Sequence, residues 1–221
     1  MKHNWIPKLA FLLLVFSSYT VAQESGVIHG HVVDPQGKPV VGARVSWVRS
    51  KEGEVEIHRS AAFAESDGQG KFSIGGLSLG VTYKLYASKE EAFYPDMSFP
   101  FFNPLDQSST AVASADDGFD ATVSLGPQAG RLSWEVTNTN GDTVSPNISF
   151  KRPDYGESFL GGFPSKDDFL MPADTDISFS VSAKQYQTWY YPGVTDEKLS
   201  TPLRLKPGEE KTLKIQLQPQ N

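Results

Sequence analysis

The chain alternates apolar and polar residues in short runs cut by glycine and proline. Residues 27–33 place Ile28, Gly30 and Val32 on one face and His29 and His31 on the other, the period of two expected of a strand with one buried side. Asp34-Pro35-Gln36-Gly37 then reads as a turn, proline presetting φ and glycine accepting a positive one. Strands are predicted over 43–48, with Ala43, Val45 and Trp47 on one side, and over 55–63. Asp67-Gly68-Gln69-Gly70 is the next turn, followed by a short strand over 71–74. Gly75-Gly76 and Gly80 bracket a further turn. Residues 81–87 then alternate Val81, Tyr83 and Leu85 with Thr82, Lys84 and Tyr86, and after a long loop residues 121–125 close the unit. Helical periodicity is almost missing, and 19 glycines and 15 prolines punctuate the chain too often for long helices. The pattern predicts an all-β protein of antiparallel sandwich type.

The second half repeats the plan. Residues 26–37 match 130–141, with the same spacing from the first glycine to the turn glycine. Phe169-Leu170-Met171 takes the place of Phe72-Ser73-Ile74, and residues 177–183 that of 81–87. Tyr191-Pro192 answers Tyr94-Pro95, and 213–217 answers the closing strand. The same order of strands and turns twice predicts two tandem sandwiches with a boundary near 126–129. The link is so short that the two should touch.

The first residues do not fit this pattern. Lys2 and Lys8 flank an apolar run over 9–16, and Thr20 and Ala22 give the small-x-small pattern that a signal peptidase accepts. The run is shorter than the roughly 20 residues that span a bilayer, and no later stretch is apolar enough to do so. The expected division is a signal peptide at 1–22, one sandwich at 23–127 and a second at 128–221. An uncleaved anchor is the rival reading of the first segment. Export places the protein in a periplasm or outside the cell. The net charge is −6, and more negative without Lys2 and Lys8. This argues against nucleic acid, whose binding rests on clustered Lys and Arg, and against polybasic attachment to anionic lipid. Cysteine is absent, so disulfides, thiolate metal sites and cysteine nucleophiles are excluded. Each sandwich must then be held by apolar burial, which roughly 100 residues can supply.

Gly30-His31-Val32-Val33-Asp34-Pro35-Gln36-Gly37-Lys38-Pro39-Val40-Val41-Gly42-Ala43-Arg44-Val45 closely resembles the opening of the carboxypeptidase regulatory-like domain. Asp67, Gly70, Phe72, Ile74, Leu77, Gly80 and Tyr83 fall on its later positions. The second half resembles it less closely, with Thr143-Val144-Ser145-Pro146-Asn147 in place of the family's P-V-x-G-A segment. Its 190–193 and 203–209 segments fit the tail of many bacterial copies. The resemblance implies a transthyretin-like or immunoglobulin-like sandwich of about seven strands, the second a diverged copy. It implies a module that does no chemistry in metallocarboxypeptidases and recurs as a spacer or interaction unit in exported bacterial proteins. It is also similar to starch-binding domains.

Several motifs invite chemistry. Gly76-Leu77-Ser78-Leu79-Gly80 is formally G-x-S-x-G, but a strand is predicted after it and every histidine precedes it, against the order a nucleophile elbow needs. His29, His31 and His58 could gather round zinc; the alternative is a solvated strand face. Asp67-Gly68-Gln69-Gly70 lacks the spaced oxygen ligands of a calcium loop. Glu52, Glu54 and Glu56 read as solvation of a strand edge, and Asp116, Asp117 and Asp120 as surface. Asn147-Ile148-Ser149 is a glycosylation sequon that matters only in a eukaryotic source. No catalytic, metal or cofactor residue is assigned. Two aromatic segments remain: residues 93–102, with Phe93 and Tyr94, and residues 186–191, with Trp189, Tyr190 and Tyr191. Such rings can stack on sugars or anchor a protein partner, or they can close the sandwich ends and fill the joint. The expected function is a non-catalytic structural or interaction module with a protein partner. A glycan-binding protein is the alternative and a hydrolase on a transthyretin-like fold the third reading.

Overall fold

The structure, a computed structural model, describes residues 25–50, 63–102, 108–115 and 120–220. The expected leader at 1–22, nearly all of the strand at 55–63, His58, Glu52, Glu54, Glu56, Asp116 and Asp117 lie outside the described residues. The fold is all-β. In the first half the strands are β1 (Ser25–Val33), β2 (Arg44–Arg49), β3 (Ala64–Glu65), β4 (Lys71–Ser78), β5 (Thr82–Ser88), β6 (Ser109–Val112) and β7 (Asp120–Ser124). The second half holds β8 (Ala129–Asn138), β9 (Asn147–Arg152), β10 (Glu157–Gly162), β11 (Lys166–Pro172), β12 (Ser178–Ser182), β13 (Trp189–Tyr190) and β14 (Glu210–Leu217). Sheets β4-β1-β7 and β3-β2-β5-β6 form the first sandwich; β11-β8-β14 and β10-β9-β12-β13 form the second. Replacing each strand of the second set by the one seven places earlier reproduces the first set, so the two halves share one topology. Among the described residues no helix is long and apolar enough to cross a membrane.

Local chemistry explains the strand ends. In β1 the buried positions are Gly26, Ile28, Gly30 and Val32, with His29 and His31 half-exposed between them. The chain then turns at Asp34, whose carboxylate accepts the N–H groups of Gln36 and Lys38 while Gly37 takes φ +79°. Asp67 does the same with Gln69 and Lys71 ahead of Gly70, and Asn138 with Asn140 and Asp142 ahead of Gly141. In each case a short acceptor side chain organises a turn that a positive-φ glycine completes. The Asp67 carboxyl lies below the usual carboxylate range, chiefly because the N–H of Gln69 and then that of Lys71 point at it. Asp67-Gly68-Gln69-Gly70 is thus a turn whose acceptor already faces protein donors.

Three expectations need correction. Gly75-Gly76 does not bracket a turn. It lies within β4, where Gly26 pairs with Leu77 but Ile28 pairs with Ile74, so two steps on β1 oppose three on β4. Gly76, at φ +74°, makes this a β-bulge. The two-residue turn is Leu79-Gly80. The loop before the closing strand contains a further strand, β6, on the edge of β5. Finally, Leu132 pairs with Phe169 as Ile28 pairs with Ile74, so Phe169 occupies the place of Ile74 and not of Phe72.

The two cores differ in their filling. The first packs Ile28, Val32, Val45, Ile74 and Leu85 with five small alanines and the ring of Phe72. Phe72 lies over Gly30, where an added Cβ would stand 2.5 Å from its ring and 2.1 Å from the Ala121 carbonyl. The matching position on β8 is Trp134, itself a core ring. Each sandwich therefore has one large aromatic at this level, supplied by opposite members of the strand pair. Gly30→Ala should cost the first sandwich about 1–3 kcal/mol through forced displacement of backbone. Urea unfolding checks this, with Gly37, which has no atom within 4 Å of its Cβ direction, as the position where crowding plays no part.

Candidate functional site

Among the described residues, the connection between β5 and β6 is where side chains of one sandwich enter the core of the other. Lys89 and Tyr94 exchange backbone hydrogen bonds around a short 3-10 turn at Glu90–Ala92. Phe93 ends that turn at φ +66°, a conformation that costs a bulky residue about 1–3 kcal/mol and persists only where the surroundings hold it. Here the holder is the second sandwich: Ala129 donates its N–H to the Phe93 carbonyl at 2.7 Å, and the Arg131 guanidinium lies 5.3 Å from the ring centre. Tyr94 turns back onto the first core.

Residues 95–102 then leave the first sandwich. Asp96 accepts the Ser98 N–H at 2.9 Å, and the Phe102 N–H returns to the Phe99 carbonyl at 2.9 Å, coiling the segment tightly. This points three rings into the neighbour. Phe101 is 2% exposed and belongs to the second core, against Phe150 and Phe169. Phe99 meets Phe159 edge-on at 5.6 Å, and Phe102 stacks on Phe169 at 6.0 Å. Such pairs add about 0.5–1.5 kcal/mol each beyond the area they bury.

Two arginines of the second sandwich grip the backbone of this segment. Arg131 donates to the Glu90 carbonyl at 2.8 Å and to Asp168 at 2.6 Å. Arg152, 6% exposed, donates to the Phe101 carbonyl at 2.7 Å and makes a two-point pair with Asp154. A buried guanidinium demands such partners, because an unpaired charge there is strongly destabilising. The Arg152 hydrogen bond is also the main reason the Asp154 carboxyl sits below its usual range. Gln128 adds a contact to the Ala92 carbonyl at 3.3 Å. Clefts of about 420 and 520 Å³ flank the segment, sharing Pro95 and Phe102. Their polar groups already serve each other: Arg131, Asp168 and Glu90 on one side, Arg152 on the other.

The five aromatic candidates go to separate places. Phe93 and Tyr94 belong to the joint. Trp189 sits on the core face opposite Val181, 6.0 Å from Phe179, and Tyr191 accepts a 3.0 Å hydrogen bond from Lys211. Tyr190 pairs with Ser180 and takes the outer face. The two Tyr-Pro pairs are not equivalent, since Tyr94-Pro95 precedes the sixth strand of its sandwich and Tyr191-Pro192 follows it. His31 lies 3.1 Å from Asp120 on an outer face, and no group of three potential metal ligands occurs among the described residues. Ser78 ends β4, donates its N–H to the Tyr83 hydroxyl, and is followed by a turn and a strand. Arg131, Arg152, Gln128 and Asp168 were not singled out from sequence. The inward place of Arg152, in step with Ile148 and Phe150, was the available signal.

No known family profile matches the chain, and no curated protein matches it. Among solved structures, similarity is found to the TIE protein of Bacillus anthracis, at 14% identity and a TM-score of 0.33 over 89% of this chain and 34% of that one. A streptococcal ancillary pilin gives 10%, 0.35, 90% and 64% on the same measures. The shaft pilin SpaA of Lactobacillus rhamnosus GG gives 9%, 0.31, 89% and 98%. This chain thus spans about a third of the first of these proteins and about two thirds of the second.

Phe101→Ala should cost about 3–5 kcal/mol, read as a lower urea midpoint with the second sandwich loosened. For the Arg152–Asp154 pair the sign follows from a depressed folded pKa. Its contribution is full above the unfolded carboxylate value of about 4 and is lost as pH falls through the lower folded value. Asp154→Asn should therefore lower the thermal midpoint at pH 7, and the gap from the parent should narrow as pH falls below the unfolded carboxylate value.

Proposed function

We propose that this is an exported, non-catalytic protein whose two sandwiches act as one structural or interaction module in the periplasm or at the cell surface. The observation that carries the reading is the joint. The aromatic segment best suited to meet a ligand is folded into the second core, and the arginines beside it hold backbone carbonyls and carboxylates of the same chain. Such a joint turns two small domains into a single body with fixed spacing. We assign residues 1–22 to a leader, 23–127 to the first module and 128–221 to the second, with 95–102 crossing that boundary in space. The shared strand order supports reading them as two copies of a carboxypeptidase regulatory-like sandwich, the second diverged.

A glycan-binding alternative rests on Tyr190, the ring of the second segment that takes the outer face, beside Ser180. Tyr190→Ala should abolish retention on a polysaccharide column if that reading holds and change nothing if the protein is a spacer.

Fractionation of cells expressing the full chain with a C-terminal tag tests the main reading. The expected product begins at Gln23 and lies outside the cytoplasm. A cytoplasmic product retaining Met1, or a hydrolytic turnover lost on Ser78→Ala or His31→Ala, would overturn it.

A further inference from the structure

In each sandwich the strand by which the chain enters and the strand by which it leaves are hydrogen-bonded neighbours that run parallel. β1 pairs with β7 from His29↔Asp120 to Val33↔Ser124, and β8 with β14 from Glu210↔Arg131 to Leu217↔Asn138. Backbone bonds at the Leu125 and Arg131 N–H groups, to Val33 and Glu209, continue the two ladders. Parallel pairing puts entry and exit at opposite ends of the pair. A pull along the chain then slides one strand against the other, and the bonds between them, lying across the pull, resist together. Antiparallel neighbours would put entry and exit at one end, where the bonds would open one at a time.

We infer that each sandwich is a shear clamp and that the protein transmits tension along its chain, a role that rests on and deepens the structural reading above. Three further observations agree. β1 and β8 are the central strands of their sheets, and Ile28, Val32, Leu132 and Val136 on them are fully buried, which covers the inner face of each ladder. The joint is short and held on both sides of residues 90–101 by Arg131 and Arg152, so the two clamps act in series without slack. With no cysteine in the chain, strand pairing is what ties entry to exit. Among the described residues the first ladder has five register pairs and the second eight.

The absence of native cysteine makes the test direct, because force handles attach only where cysteines are introduced. In the full chain, Pro127→Cys with Gln218→Cys pulls β8 and β14 in shear. Thr139→Cys with Gln218→Cys pulls the same two strands apart from one end. All three positions are exposed, and unchanged urea midpoints show that both variants are folded. Rupture under force follows the unfolding barrier along the pull. A rupture force several-fold higher for the first pair than for the second, at one loading rate, is the expected result. Equal forces in the two directions overturn the clamp while leaving the export test untouched, and a cytoplasmic product would not alter the force ratio.

Discussion

The hydrogen bond from the Arg152 guanidinium to the Phe101 carbonyl is a buried tie between the two sandwiches, alongside the contacts of Ala129, Gln128 and Arg131 with the Phe93, Ala92 and Glu90 carbonyls. Arg152 lies on the inward face of β9, in line with Ile148 and Phe150, where a charge is tolerated only with its donors satisfied. Asp154 supplies one set of acceptors, and the second comes from the other sandwich. The carbonyl that meets this need belongs to the same residue whose ring completes the aromatic core. Polar and apolar requirements of the second sandwich are met at one point, by a residue of the first.

The need for an outside ring follows from how the two cores are filled. In the first, five alanines and Gly30 take little space, and the core is completed by its own residues. The second is built from Trp134, Phe150, Phe159, Phe163, Phe169 and Phe179, whose ring centres stand 5–6.5 Å apart in a connected chain. Further rings pack onto this cluster from outside β8 to β12. Phe99, Phe101 and Phe102 enter at the end nearest the joint, while Trp189 and Tyr191 cover the side of β12 and β14. One topology thus supports two packings, and the difference between them makes the second sandwich dependent on the first.

Much of this was legible in the residues, and what was not has a physical reason. The Asp34, Asp67 and Asn138 turns could be read because the acceptor side chain acts within four residues of itself. The alternation in β1 and β8 could be read because one face is buried throughout. Gly75-Gly76 misled because a glycine pair serves a bulge as well as a turn, and only the partner strand decides which. β6 escaped because its Ser-Thr-Ala-Val carries little apolar signal and exists by pairing with β5. The rings of residues 93–102 announced a contact, but their destination depends on which sandwich lacks a ring. Arg152 was the missed clue: two residues after Phe150 in a strand, it had to point inward and had to find acceptors.

The joint is also a consequence of topology. β4 runs against β1, β5 returns alongside β2, and β7 runs with β1. The connection after β5 therefore emerges at the end where β7 leaves and β8 begins, so any long insertion there meets the next sandwich. The second sandwich has the same strand order, and its corresponding connection, after β12, emerges at its own exit. There it is short and folds back: Tyr186 bridges to Pro219, Gln187 donates to the Gln218 and Pro219 carbonyls, and Gln220 donates to that of Tyr186. The same loop position reaches forward in one copy and seals its own end in the other. Length and aromatic content at a single connection, on an unchanged strand order, separate a sandwich that couples to its successor from one that closes on itself.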